Sequence, residues 1–320
     1  MLGLGGSMCM EDGIIQSATP TESLFDIPNL IGWWDFTDQA TLWTSTTLGG
    51  INPGFGVDFR SVANKSSHTD RLGDYLTGNG SGMSGFNAYY QDNPGNLSTD
   101  LNYARFIPAV ETTAAWDYSA YKRNSFEKGT VSSGVVSNAN IDMQNMSVFM
   151  VFNPETVDPN PDFNSDRIMF HLNGKDVDGS TTTFSIRHQA GNPHDFEFSF
   201  YMADESTPSL RVDTAATGEE ATTSKILLSL NTAAGTNATK VYINGVEKGQ
   251  ATYDGDDVLT LDDNYATVMI GNRVSSFGIP GAPRSHFRGN MWEIIFYNQT
   301  LTSDQLTFVH NLLMEKHGLT

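Results

Sequence analysis

The chain has 320 residues, 38% of them hydrophobic, which is enough for a large core and excludes a disordered polymer. Its 37 acidic and 18 basic residues give a formal charge of −19, which repels phosphate backbones and anionic lipid and argues against nucleic-acid and membrane partners. One cysteine, Cys9, leaves no intrachain disulfide to form, and no run approaches the roughly 18 apolar residues of a membrane-spanning helix.

Residues 1–28 read as an extended arm. The opening MLGLGGSMCM has the apolar look of an export signal, but no Lys or Arg precedes Arg60, and Gly3, Gly5, Gly6 and Ser7 break the run. Leu2 stands where N-myristoylation needs glycine. The segment is therefore expected to be retained. Its glycines let an extended strand approach another backbone, and Leu2, Leu4, Met8 and Met10 are the expected assembly contacts, methionine suiting irregular pockets.

Residues 29–320 read as one β-sandwich. LIGWWDFTDQATLW (Leu30–Trp43) predicts a core strand followed by a turn. Residues 44–130 have little sustained period and predict a loop-rich insert with short strands, Tyr103–Ile107 being the clearest. Sharper strand signals follow at Met146–Asn153, Arg167–Leu172, Thr182–Arg187, Phe196–Met202 and Lys225–Leu230. In KVYINGVEKG, Asn244-Gly245 lies between two alternating runs and predicts a type I′ hairpin. Thr267–Ile270 and Met291–Tyr297 complete the strands. A closing helix is predicted over about 303–317: Thr302 and Gln305 form a capping box, Leu301 and Leu306 a staple, and Gly318 an αL end after Lys316 and His317.

These residues carry a resemblance. KVYINGVEKG, ATVMIGNR and FRGNMWEIIFYNQTLTSDQLTFVHNLLMEKHGL resemble the laminin-G-like, pentraxin-like branch of the concanavalin A-like lectin/glucanase superfamily, with Gly289, Glu293, Tyr297, Asn298 and Leu301 at matching places. LIGWWDFTDQATLW resembles the family's opening segment. The resemblance implies an all-β, concanavalin A-like jelly-roll sandwich with a C-terminal α-helix, here preceded by the N-terminal arm. A second resemblance, of MLGLGG running into such a sandwich, is to structural proteins of marine bacteriophages. It implies a virion component assembled in the host cytoplasm, with capsid or tail proteins as partners and an oligomeric state in the particle.

Chemistry-bearing motifs are sparse. The paired carboxylates of a glucanase strand (E-x-D-x-x-E) are absent: Glu293 is flanked by Trp292 and Ile294, and is expected to mark the family strand and hydrogen-bond locally. Gly80, Gly82 and Gly85 match G-x-G-x-x-G without the flanking strand and helix that a dinucleotide site needs. Asp176 and Asp178, and the group Asp254, Asp256, Asp257, Asp262 and Asp263, are either solvated turn acids or oxygen ligands for Ca²⁺, the only cofactor expected here if any is. Arg187 stands where an EF-hand loop starting at Asp176 would need its glutamate. His188 and His194 lack a third zinc ligand nearby. Trp33, Trp34 and Trp43 read as core rather than as sugar-stacking platforms. Tyr89, Tyr90, Trp116, Tyr118 and Tyr121 are the better candidates for a carbohydrate or partner contact. The expected function is a non-enzymatic virion structural protein, a capsid decoration or tail-fibre subunit held by its arm and loops. The alternative is a carbohydrate-binding lectin module for host attachment through a host-surface glycan.

Overall fold

The computed structural model describes residues 23–45, 49–55, 57–59, 61–69, 71–72, 74–78, 89–91, 101–106, 126–128, 139–154, 167–175, 181–188, 196–202, 210–213, 225–253, 258–261, 267–271, 287 and 289–320. In chain order the first strands are β1 (Leu30–Asp35), β2 (Leu42–Trp43), β3 (Val57–Asp58), β4 (Ser61–Ala63), β5 (Tyr75–Gly78) and β6 (Tyr89–Gln91). Next come β7 (Tyr103–Phe106), β8 (Phe126–Lys128), β9 (Ala139–Asp142), β10 (Ser147–Pro154), β11 (Arg167–Lys175), β12 (Thr181–His188) and β13 (Phe196–Met202). The chain continues through β14 (Leu210–Asp213), β15 (Ile226–Asn231), β16 (Gly235–Ile243), β17 (Val246–Tyr253), β18 (Val258–Leu261), β19 (Thr267–Ile270) and β20 (Gly289–Tyr297) into helix α1 (Ser303–His317).

Two antiparallel sheets result. The first runs β17-β16-β15-β10-β20-β7-β6-β3, with β1 also paired to β20. The second runs β14-β13-β12-β11-β19-β8-β5-β4-β2, with β18 joining β11 to β9. Period-two alternation turns Val148, Met150 and Phe152 of β10 and Ile294 and Phe296 of β20 inward. There they meet Phe170 and Leu172 of β11 and Phe184 and Ile186 of β12. The opposite face of the first sheet is also apolar: Phe149, Val151, Leu227, Ile295 and Tyr297 pack beneath Leu306, Val309 and Leu313 of α1. Burying each such side chain stabilises the fold by about 1.5–3 kcal/mol. Burial on both faces is why MSVFMVF and MWEIIFY read as nearly continuous apolar runs.

The helix ends as its sequence dictates. The Thr302 side chain accepts from the Gln305 amide while Gln305 reaches back, and Gly318 closes the helix in the left-handed region at φ 63°. At the hairpin between β16 and β17, Asn244 and Gly245 both take positive φ, 48° and 75°. Leu30–Trp43 holds the expected core strand and turn: β1 stops at Asp35, whose carboxylate caps the next turn through the Thr37 amide, and a 3₁₀ turn at Gln39–Thr41 then leads into the short β2. One expectation needs correction. Residues 23–28, assigned to the arm, are packed into the sandwich, with Leu24 and Ile27 buried in the cluster under α1. Within the expected insert at 44–130, six short strands (β3 to β8) extend both sheets.

Candidate functional site

The most chemically loaded place among the described residues is where β1, β20 and the end of α1 meet. On β20 the register against β10 slips, Val151 pairing with Glu293 and Phe152 with Met291. The extra residue, Trp292, makes a β-bulge, so Trp292 and Glu293 both lie on the helix side while Met291 and Ile294 enter the core. Glu293 is 1% exposed. Its Oε1 accepts from Trp33 Nε1 at 2.6 Å. Its Oε2 accepts from Lys316 Nζ at 2.7 Å and faces His317 Nε2 at 2.7 Å. Asp35 pairs directly with Glu293 across β1 and β20. Asp35 accepts from the Thr37 hydroxyl at 2.6 Å and from Lys65 and Lys316 at 3.1 Å each. Lys65 also reaches Asp38 at 3.2 Å and lies 4.6 Å from the centre of the Trp33 ring.

The electrostatics follow from these neighbours. Burial would raise the Asp35 carboxyl, but the Lys316 charge, the Thr37 hydroxyl and Lys65 outweigh it and hold Asp35 below the usual carboxylate range. Burial would lower Lys65, and Asp35 reverses that. Burial holds His317 below its ordinary 6.5 despite the attraction of Glu293. A neutral His317 carries its proton on Nε2, the tautomer that gives Glu293 a donor. Nearby, His310 of α1 faces Ser229 Oγ at 2.7 Å and packs on the rings of Phe149 and Tyr242. Burial pushes it down to about 4. Every oxygen of Glu293 is thus engaged by protein donors beneath the last turn of a helix. The arrangement anchors α1 and leaves no approach for a glycosidic bond.

The second sheet offers a different surface. Phe170 and Leu172, Phe184 and Ile186, and Val268 and Ile270 face the core, so His171 and Ser185 take positions on the opposite face. His171 Nδ1 lies 2.8 Å from Ser185 Oγ, and the two residues are 3% and 6% exposed. The same register line runs from Met269 through His171 and Ser185 to Ser199 and Arg211, crossing five strands. Among the described residues no α-helix packs on this face.

Residues singled out by sequence are placed unevenly. Tyr89 and Tyr90 lie on β6, in register with Arg105 and Ala104 of β7 on one side and Asp58 and Val57 of β3 on the other. Leu2, Leu4, Met8, Met10, Trp116, Tyr118, Tyr121, Asp176, Asp178, Asp254, Asp256, Asp257, Asp262 and Asp263 lie outside the described residues, as do the 80–85 glycine motif and His194. Trp34 is core, as expected, and Trp33 serves Glu293. The expectation that Glu293 bonds locally is corrected: its partners Trp33 and His317 stand 260 and 24 residues away. No local sequence pattern singles out Asp35, Lys65, Ser229 or His310, and Lys316 and His317 stand out only as charges suited to a helix end.

No curated protein matches the chain. Among solved structures, it is similar to a heptameric SAP-like pentraxin of Limulus polyphemus (13% identity, TM-score 0.38), covering 53% of this chain and 70% of that one. It is also similar to the binding domain of Paraclostridial Mosquitocidal Protein 1 (11% identity, TM-score 0.46), covering 89% of this chain and 52% of that one. A third is domain 4 of the arabinanase AbnA of Geobacillus stearothermophilus in complex with arabinotriose (17% identity, TM-score 0.37, covering 87% and 97%). A family model matches residues 128–307, more than half of the chain, over the stretch that supplies β9 to β20 and the first turn of α1. By that match the chain belongs to the concanavalin A-like lectin/glucanases superfamily.

Proposed function

We propose that the chain is a non-catalytic carbohydrate-binding module. The observation that carries this reading is Glu293. This carboxylate, on a strand that carries no second acidic residue, is buried and saturated by Trp33, Lys316 and His317, serving the fold rather than a substrate. The face of the second sheet turned from the core is the surface we assign to the glycan, with Ser185 and His171 a buried pair that positions it from beneath. Calcium at the acidic residues Asp254, Asp256, Asp257, Asp262 and Asp263, which flank β18 in sequence, and contacts from Tyr89, Tyr90, Trp116, Tyr118 and Tyr121, are further parts of the same proposal.

Glycan-array binding of the full chain, with and without EDTA, tests it. The expected result is retention of at least one glycan without release of new reducing ends, weakened at least tenfold by His171→Ala. Ser185→Ala serves if the first variant melts early. Failure to retain any glycan overturns the proposal, as does hydrolysis that disappears in Glu293→Gln. Retention unchanged by EDTA removes calcium from it.

A second reading, a bacteriophage virion subunit attached by its arm, is favoured by the MLGLGG opening, and a lectin module displayed on a particle would satisfy both. Co-sedimentation with particles, lost on deletion of residues 1–12, is the expected outcome. A truncated chain that stays attached rules the arm out.

A further inference from the structure

The helix-bearing face of the first sheet changes character beyond the last turn of α1. There Asn153 of β10, Asn290 of β20 and Arg105 of β7 stand directly opposite one another in register. Their chain neighbours Phe152, Met291 and Ala104 point into the core, so the three polar residues share the opposite face. All three are partly exposed. Lys225 continues the row, since the next residue, Ile226, pairs with Phe152. Its Nζ donates to the His317 carbonyl at 2.9 Å and lies 4.7 Å from the Trp292 ring. Tyr103, two positions before Arg105 and also partly exposed, leans on Trp292 with ring centres 5.1 Å apart. Trp292 is itself fixed by a 3.0 Å hydrogen bond from Nε1 to the Leu101 carbonyl.

The row has three properties that together define a ligand. The Asn290 amide oxygen is shielded from water and receives no hydrogen bond from the described residues, an arrangement that is costly unless a donor is supplied. Two cations flank two amides in a chain of formal charge −19. A fixed aromatic pair walls one side. A guanidinium takes a carboxylate through two parallel hydrogen bonds, amides match ring hydroxyls, and an aromatic face covers the apolar face of a sugar ring.

We propose that Lys225, Asn153, Asn290 and Arg105, walled by Tyr103 and Trp292, bind a carboxylate-bearing sugar residue. This site lies on the opposite face of the sandwich from the His171–Ser185 line and stands independently of it.

Calorimetric titration of the full chain tests the proposal with four probes: methyl glucuronide, N-acetylneuraminic acid, methyl glucoside and sodium acetate. At least one acidic sugar is expected to bind at least tenfold more tightly than methyl glucoside and than acetate. Arg105→Gln and Asn290→Ala are each expected to weaken it at least tenfold, while Val246→Ala at the exposed hairpin leaves it unchanged. Thermal melts establish that the variants fold, and Lys225→Gln at the rim replaces any that does not. The site is overturned if neither acidic sugar binds, if acetate or the neutral glucoside binds equally well, or if the folded variants bind like the parent. Loss with Ser185→Ala alone would move the sugar to the other face.

Discussion

At the scale of the residue, Glu293 shows how the same side chain changes meaning with its surroundings. A carboxylate 1% exposed is tolerated only when paired and hydrogen-bonded, and here Trp33, Lys316 and His317 supply all of its donors. Removing it leaves the Trp33 indole N–H and the His317 ring without an acceptor beneath the helix, while Lys316 keeps Asp35. Glu293→Ala is therefore expected to destabilise the fold by about 2–4 kcal/mol, the cost of stranding two buried polar groups. Glu293→Gln keeps the volume and one acceptor, and is expected to fall between the two. Urea unfolding of the three proteins measures this, and a Glu293→Ala loss below about 1 kcal/mol would show that the cluster is not what holds α1. Little of the cluster was legible in sequence. Glu293 could be found because it sits in a family strand, and Lys316 and His317 because a helix end favours cations. Their meeting with Asp35 and Trp33 depends on a sheet pairing between residues about 260 apart, which no local pattern encodes.

At the scale of the element, legibility tracks how local the organising forces are. The Asn244-Gly245 turn and the capped, staple-flanked α1 are set by neighbours a few residues apart, and both stand where their patterns place them. Strands buried on both faces, β10 and β20, announce themselves by hydrophobicity alone. The two- to four-residue strands β2 to β6 do not, because each is stabilised by the sheet it joins rather than by its own sequence. The glycine that opens β20 is a further case. Gly289 takes φ 148°, and a Cβ there would collide with the Asn153 carbonyl oxygen and lie 2.9 Å from the Phe287 ring and 3.0 Å from Pro154 Cα. Two strands of the first sheet approach through the space a side chain would occupy. Gly289→Ala is expected to cost about 3 kcal/mol or more, combining overpacking with backbone strain. Gly49→Ala is the control: φ there is 80°, yet nothing lies within 4 Å of the added Cβ, so only the strain of about 1–2 kcal/mol remains. Equal losses in melting temperature for the two variants would show that the close approach at Gly289 carries no energy.

At the scale of the molecule, the helix and the first sheet are joined through two buried imidazoles, which makes their union dependent on pH. His310 lies against Ser229, Phe149 and Tyr242, and its pKa is pushed down to about 4 by burial. His317 faces Glu293, with Lys316 and Lys225 adding positive charge, and is also lowered from 6.5. An imidazole held neutral in the fold but free to protonate when unfolded stabilises fully above pH 6.5. That contribution falls as the pH drops toward the folded value, because the unfolded chain binds more protons in the interval. For His310 the loss reaches about 3 kcal/mol by pH 4, and His317 adds to it with the same sign. Asp35 has the opposite position: its carboxyl is held below 3.8, so its contribution persists through this interval and is lost only at lower pH. Partial neutralisation of the −19 net charge also acts against the loss, by relieving self-repulsion on acidification. Urea midpoints at pH 7, 5.5 and 4.5 separate these contributions. The parent chain is expected to lose stability across the series, and His310→Gln, which keeps an amide donor toward Ser229 without a titrating ring, is expected to lose less. If parent and variant respond in parallel, the acid response belongs to the surface charge, and the two histidines act only as neutral packing between the helix and the sheet.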